Sequence, residues 1–517
     1  MAVQSTKRLG SITLPSFYSI AFRGCRSANL TLRESAIENE YEKVKPYHQV
    51  PGPRSLPIIG TSYLYRNGTY QITKYHEALR DLYKKYGPIF RQNWAGQEVL
   101  HIFDLEDVKA VLHAAGKMPV VPPIQEGSRI YRLKKNHSVG LGNLNGDDWY
   151  EMRSVVQQIM LKPREVQHYL PQVDGISIKF IDRLLKDRTM DGHIEDLHNV
   201  ASKWFLENAG EILFEKRLGC LDGGESEIDA QNWIDSNRGI FYYNAILKVA
   251  TMLYKYIPTR PWKKLVSAED YFHKAAGKHI KETILKIKEL TDSKEMTEKK
   301  YNLMAYFLSK EMDVKDIAFM CHSLISEGLS TVPSSIQYNI FCLAKNPHVQ
   351  NKVREEVDKF IPKDGPITVD VLNNMSYLKA SVKETFRMFP LGTEVSRVTQ
   401  KDMVLAGYLV PAGTVIDLNH SSQLRSEKYF PNPNQFLPER WMRGSDATEN
   451  AFILTPFGHG TRMCVGRRFA LQSLYVAMAR ILQKFELVCS PEDELGQVFN
   501  TLLFPDRPVM VKFKERL

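Results

Sequence analysis

The sequence predicts a mainly α-helical protein with one small β region. Three observations carry that expectation. Residues 164–215, 226–256 and 266–293 repeat apolar side chains at helical spacing, with polar turns between them. Residues 313–343 (DVKDIAFMCHSLISEGLSTVPSSIQYNIFCL) are the longest such stretch and read as a long central helix. Strand-like alternation is confined to short pieces near residues 88–103, 397–417 and 499–513.

Composition bounds the rest. The 517 residues are 43% hydrophobic and 25% charged, ample for a large core. No run of 18 or more apolar residues occurs, so no helix is expected to span a membrane. The cysteines are few, with no Cys-x-x-Cys pair, which argues against a disulfide framework or a zinc site. A net charge of +10 suits an acidic protein partner or an anionic membrane surface. No basic stripe with interleaved aromatics points to nucleic acid.

Taken in order, residues 1–33 carry Lys7, Arg8, Arg23, Arg26 and Arg33, several serines and no acid, the composition of a mitochondrial transit segment. Residues 34–50 read as a linker, and 51–517 as one folded body. Pro51, Pro53 and Pro57 make a stiff elbow at its start. A helix is expected at 71–86, a strand pair at 88–103 and a short helix at 105–115. Residues 117–146, with Pro119, Pro122 and Pro123, read as a long irregular binding loop or lid. Gly146-Asp-Asp-Trp149 opens a helix with an acidic cap, and its Trp149 and Arg153, at i and i+4, share a face as two donors suited to an anionic group.

Within the central helix, Glu327, Gly328, Ser330, Thr331 and Pro333 predict a polar kink. Such a break can form a groove for O₂ and proton-relay water, or be a strained turn whose hydroxyls bond back to the helix. Asn346-Pro347 ends the helix. Further helices are expected at 349–361, 369–378 and 379–389. In the last, Glu384 and Arg387 at i, i+3 can form a bidentate pair, and the rigid Pro438-Glu439-Arg440 segment offers Arg440 as a second partner for Glu384. Short strands follow at 397–404, 407–410 and 413–417. The chain closes on a hairpin over 499–513, turning at Pro505-Asp506.

Between these lies Phe457-Gly-His-Gly-Thr-Arg-Met-Cys-Val-Gly-Arg-Arg468. Cys464 sits among glycines, before an apolar helix and beside Arg462, Arg467 and Arg468. A helix N-terminus and cationic neighbours lower a thiol pKa and favour the thiolate. A thiolate held this way suits the axial position of a haem iron.

Together these motifs resemble the cytochrome P450 family of haem-thiolate monooxygenases, from Pro51 to the C-terminus. Residues 457–466 look like its cysteine-ligand loop, Phe457 and Gly466 included. Glu384 and Arg387 look like its E-x-x-R pair, with Arg440 completing a structural triad. Trp149 and Arg153 look like its propionate-binding pair, which the resemblance extends to Arg462 and Arg397. Gly328 and Thr331 sit where its oxygen groove sits. The resemblance implies the cytochrome P450 fold, haem b ligated by Cys464, and insertion of one O₂ oxygen into a lipophilic, sterol-like or xenobiotic substrate. Residues 117–137, 323–327, 391–396 and 500–503 would line the substrate pocket. Lys379, Lys383, Arg467 and Arg468, with the 254–262 loop, are similar to the mitochondrial branch. That implies a peripheral protein on the matrix side of the inner membrane, which these four cations dock to an adrenodoxin-like [2Fe–2S] ferredoxin served by an NADPH reductase.

One position departs from the family. The acid usually found before the groove threonine is Ser330 here, while Glu327 stands one turn earlier. Proton delivery then falls to Glu327, or to Ser330 with water, or is impaired. The last case leaves a haem-thiolate isomerase or dehydratase, or a catalytically silent haem-binding protein, as alternatives.

Overall fold

The computed structural model describes residues 44–250, 252–293, 302–363, 365–445 and 452–516. The transit segment and most of the linker expected at 1–50 lie outside them. The chain divides into two units, Met1–Lys45 and Pro46–Leu517. The second unit carries the helical body.

Its longer helices are α1 (Tyr75–Tyr86), α2 (Leu105–Ala114), α3 (Glu126–Lys134), α4 (Gly146–Met160), α5 (Leu170–Asp187), α6 (Leu197–Phe214), α7 (Glu225–Lys248), α8 (Arg260–Asp292), α9 (Val314–Lys345), α10 (Pro347–Phe360), α11 (Ser376–Met388) and α12 (Arg467–Lys484). Two large apolar clusters meet at α9. One is built from α5, α6, α10, α11 and α12, the other from α4, α7 and α8. Beyond Leu329 almost every α9 side chain is buried, because an apolar helix with neighbours all round has no solvent face. Asp313 starts α9 by accepting the Lys315 N–H at 2.7 Å. Pro333 lies inside it, yet the helix runs unbroken to Lys345.

The β region is small. Strands Ile89–Trp94, Gln97–Ile102, Val415–Leu418 and Val395–Val398 lie side by side in that order, the middle pair parallel. Two expectations fail. The 117–146 stretch is not irregular throughout, since α3 forms within it. The C-terminal hairpin turns at Thr501, not at Pro505-Asp506: Gln497–Asn500 pairs with Leu502–Pro505 around a left-handed Thr501 (φ 67°). The last strand, Lys512–Glu515, pairs instead with Phe485–Val488 after α12. Among the described residues no helix is long and apolar enough to cross a membrane.

Candidate active site

Cys464 sits on the loop that feeds α12. Its N–H donates to Phe457 O at 2.8 Å, closing the loop on itself. Gly458 and Gly460 take positive φ (73° and 72°), which the tight reversal requires. The Phe457 ring meets Phe386 of α11 edge-on at 5.6 Å, so the loop is pinned to the core. A Cβ on Gly466 would lie 3.9 Å from Cys464 Sγ.

The thiol does not behave as its cationic surroundings suggest. Burial, the largest influence, raises its pKa, and Glu327 adds to the rise; the Gly466 and Arg467 amides and Arg153 pull the other way. Desolvation of the anion therefore outweighs the helix N-terminus. A bound metal ion reverses this balance, because coordination deprotonates a thiol outright.

Cys464 and Glu327 are both accessible side chains that protein surrounds on every side. Glu327 lies close enough to Cys464 to add to the rise of its thiol pKa. Burial pushes the Glu327 carboxyl up to about 7, offset in part by Arg132 and reinforced by Glu269. Thr331, one turn on, shares the Glu327 face and donates its hydroxyl to Glu327 O at 2.9 Å. Ser330 does not join them. It is buried against α7, where its hydroxyl accepts from Asn237 Nδ2 at 2.8 Å. The same amide bonds Ser326 O at 3.1 Å, and Ser326 Oγ donates to Asn237 Oδ1 at 2.6 Å. Ser330 thus serves helix packing, which removes it as a proton carrier. Gly328 also has a packing role: a Cβ there would lie 2.2 Å from the Phe205 ring of α6.

Near Cys464 three guanidinium groups gather. Arg462 stacks on Trp149 at 3.9 Å from the ring centroid. It donates to Pro119 O, Leu141 O, Leu144 O and Asn145 Oδ1, so it struts the 117–146 segment. Burial, together with Arg397 and Arg153, lowers its pKa to about 9. Arg397 is lowered to about 10 by burial alone. Arg153 and Arg397 are buried, and the Nε of each lacks a partner. Among the described residues none of the three is in an ion pair with a carboxylate. A cradle of cations with orphaned donors, beside an accessible cysteine, fits a ligand carrying carboxylates and a thiol-seeking metal, as haem does.

Glu384 and Arg387 are completely buried. Arg387 forks onto Glu384 at 3.0 and 2.8 Å, and its remaining donors reach Leu424 O, Pro433 O and Gln435 O. Arg440 Nε lies 3.4 Å from Glu384 Oε1. Sequence reasoning missed two further donors to Glu384, Leu437 N at 3.0 Å and Trp441 Nε1 at 2.8 Å. The cluster ties α11 to the 424–441 segment ahead of the cysteine loop.

Of the four cations expected to dock a partner, Lys383 is exposed, while Lys379 is half-buried and donates to Asn373 O at 3.4 Å. Arg467 and Arg468 are half-buried with unpartnered Nε atoms. Arg467 lies near enough to Arg153 to lower its pKa.

Fold and site define a haem-thiolate protein. The family described as Cytochrome P450 matches residues 50–513, and the chain belongs to the cytochrome P450 monooxygenase family. Its cofactor is accordingly haem, with Cys464 as the axial thiolate. The chain is similar to the probable cytochrome P450 CYP44 of Caenorhabditis elegans, 37% identical over 480 residues, or 91% of this chain and 94% of that protein. It is also similar to the mitochondrial cytochrome P450 302a1 of Drosophila melanogaster, at 28% over 94% of this chain and 99% of the relative. The mitochondrial 1,25-dihydroxyvitamin D(3) 24-hydroxylase of Rattus norvegicus is 27% identical over 90% of this chain and 89% of its own length.

Proposed function

We propose that the chain is a mitochondrial monooxygenase that hydroxylates a lipophilic, sterol-like or xenobiotic substrate with O₂ and electrons from a reduced ferredoxin. The observation that carries this reading is Glu327, an ionisable acid close to Cys464 whose pKa burial raises to about 7. Haem with a thiolate ligand supplies reductive O₂ activation and oxygen insertion into a C–H bond. The chain's own part is to hold and to move protons. Arg153 and Arg397 hold the propionates, and the Nε of each has no other partner. Glu327 exchanges protons near neutral pH, where a carrier is most effective, and the Thr331 hydroxyl beside it orients water. This placement favours the oxygenase over the isomerase, dehydratase and silent-binder readings, which rested on a missing acid.

The substrate enters a pocket bordered by residues 391–396 and 500–503, a reading supported by the Leu503 N–H bonded to Leu391 O at 2.8 Å. The redox partner is an adrenodoxin-like [2Fe–2S] ferredoxin with its NADPH reductase, docking first at exposed Lys383. Residues 1–33 are the transit segment, 34–50 a linker and 51–517 the haem domain. Attachment to the matrix side of the inner membrane is peripheral, through exposed Ile58, Leu253, Tyr256 and Ile257. The test is mass spectrometry of products from protein reconstituted with ferredoxin, its reductase and NADPH, given a panel of sterols and foreign lipophiles. NADPH-dependent gain of one oxygen is expected. Loss of product when the ferredoxin is left out supports the donor, and an isomerised or dehydrated product overturns the reading.

A further inference from the structure

α8 turns an apolar stripe to the core through Trp262, Leu265, Phe272, Ala276 and Ile280. Helical spacing puts Glu269 in that stripe, and it is 0% exposed. A carboxylate at a core position costs several kcal/mol unless it is paired and hydrogen-bonded. Glu269 is poorly served. Its nearest guanidinium, Arg132, is 3.9 Å away. The Ser128 hydroxyl is a neighbour, yet neither carboxylate oxygen receives a hydrogen bond of good geometry.

What lies beside it is imidazole. His273 is one turn along α8, with Nε2 3.6 Å from Glu269 Oε2. His322 comes from α9, 1% exposed, with Nε2 3.9 Å from the same oxygen. Neither nitrogen of His322, nor His273 Nε2, has a hydrogen-bond partner. One ligand atom from each of the three residues lies within 4.8 Å of the other two. Unpartnered, inward-facing polar atoms from two helices are rare in a folded core.

We propose that Glu269, His273 and His322 form a binding site for a divalent transition-metal ion of the zinc class at the α8–α9 interface. Tetrahedral bonds of about 2.0–2.2 Å span donors about 3.3–3.6 Å apart, so the 3.6 and 3.9 Å pairs close on an ion with small side-chain shifts. The N, N, O donor set suits zinc, with water in a fourth position. The two rings are stacked at 4.0 Å and 17°; an ion lies in the plane of each imidazole it binds, so joint ligation turns one ring out of the stack. Burial keeps both imidazoles neutral, the form that ligates. Exposed His137, stacked on His273 at 4.5 Å, marks the entry side. Arg132 opposes the ion's charge and moderates the affinity. Cysteine spacing, which spoke against zinc, carries no information about such a site. The proposal is independent of the substrate and redox partner assigned above.

The experiment uses the full-length, haem-loaded protein, stripped with a chelator and dialysed against Zn²⁺. Metal per chain is then measured by inductively coupled plasma mass spectrometry, and the melting temperature by calorimetry. One zinc per chain and a raised melting temperature are expected. Glu269→Gln, His273→Gln and His322→Gln should each weaken binding more than about tenfold, while His279→Gln, on α8 outside the cluster, should not. The haem Soret band reports folding of every variant, and should the buried substitutions fail to load haem, His273→Gln at the rim decides. No zinc on the parent protein, or equal zinc on a folded cluster variant, overturns the proposal.

Discussion

Replacing Glu384 with Gln keeps its shape and removes its charge. Oε1 now accepts from Arg387 Nη2 at 2.8 Å and Leu437 N at 3.0 Å, and Oε2 from Arg387 Nε at 3.0 Å and Trp441 Nε1 at 2.8 Å. An amide NH₂ must take one of these places and point donors at donors. Arg387, 0% exposed, is left as a buried cation without its counter-ion. Breaking such a pair costs about 3–5 kcal/mol, a large part of the roughly 5–15 kcal/mol by which domains are stable. The urea midpoint should therefore fall sharply. The CO-difference band of the reduced protein should fall with it, because the segment leading to the cysteine loop loses its anchor. Arg387→Lys should fail similarly, since a lysine cannot form the fork. The double variant Glu384→Leu/Arg387→Met should be milder than either single change, because the fully buried Arg387 charge goes with its counter-ion and only the less deeply buried Arg440 loses its carboxylate. A Glu384→Gln protein within about 1 kcal/mol of the parent, fully loaded with haem, would refute this reasoning.

Three further outcomes are expected. Glu327 has a folded pKa raised to about 7; protonation suits the fold, so this group favours stability at low pH and the advantage is lost as pH rises from its unfolded value through about 7. Glu327→Gln should abolish the matching inflection in the pH–rate profile and slow turnover about 10²–10⁴-fold. Arg153→Met should lower haem affinity about 10–100-fold, as expected for losing one charge-assisted bond of about 1.5–3 kcal/mol, while leaving the haem-free protein as stable or more so, measured by haem-transfer kinetics and urea melts. Lys383→Glu should raise the KM for reduced ferredoxin several-fold and flatten its salt dependence without changing the CO-difference band.

Residue spacing along the chain was enough to locate the cysteine loop, the Glu384–Arg387 fork and the Trp149–Arg153 face. Each rests on neighbours one helical turn apart or on a loop of fixed length, and local geometry decides which side chains meet. The mainly α class was legible for the same reason, because apolar periodicity is a local signal. The tertiary structure decided what depends on distant segments returning. Ser330 reads as a groove residue until Asn237, 93 positions away, takes its hydroxyl. Gly328 reads as part of a polar kink, and only the fold shows Phe205 packed so close that a Cβ there would clash. Cys464 looks like a ready thiolate among arginines, yet burial by the assembled fold raises its pKa. Nothing in the sequence singles out Glu269 until α9 brings His322 against it. Desolvation and long-range contact are properties of the packed chain, and residue spacing along a single strand or helix carries no record of either.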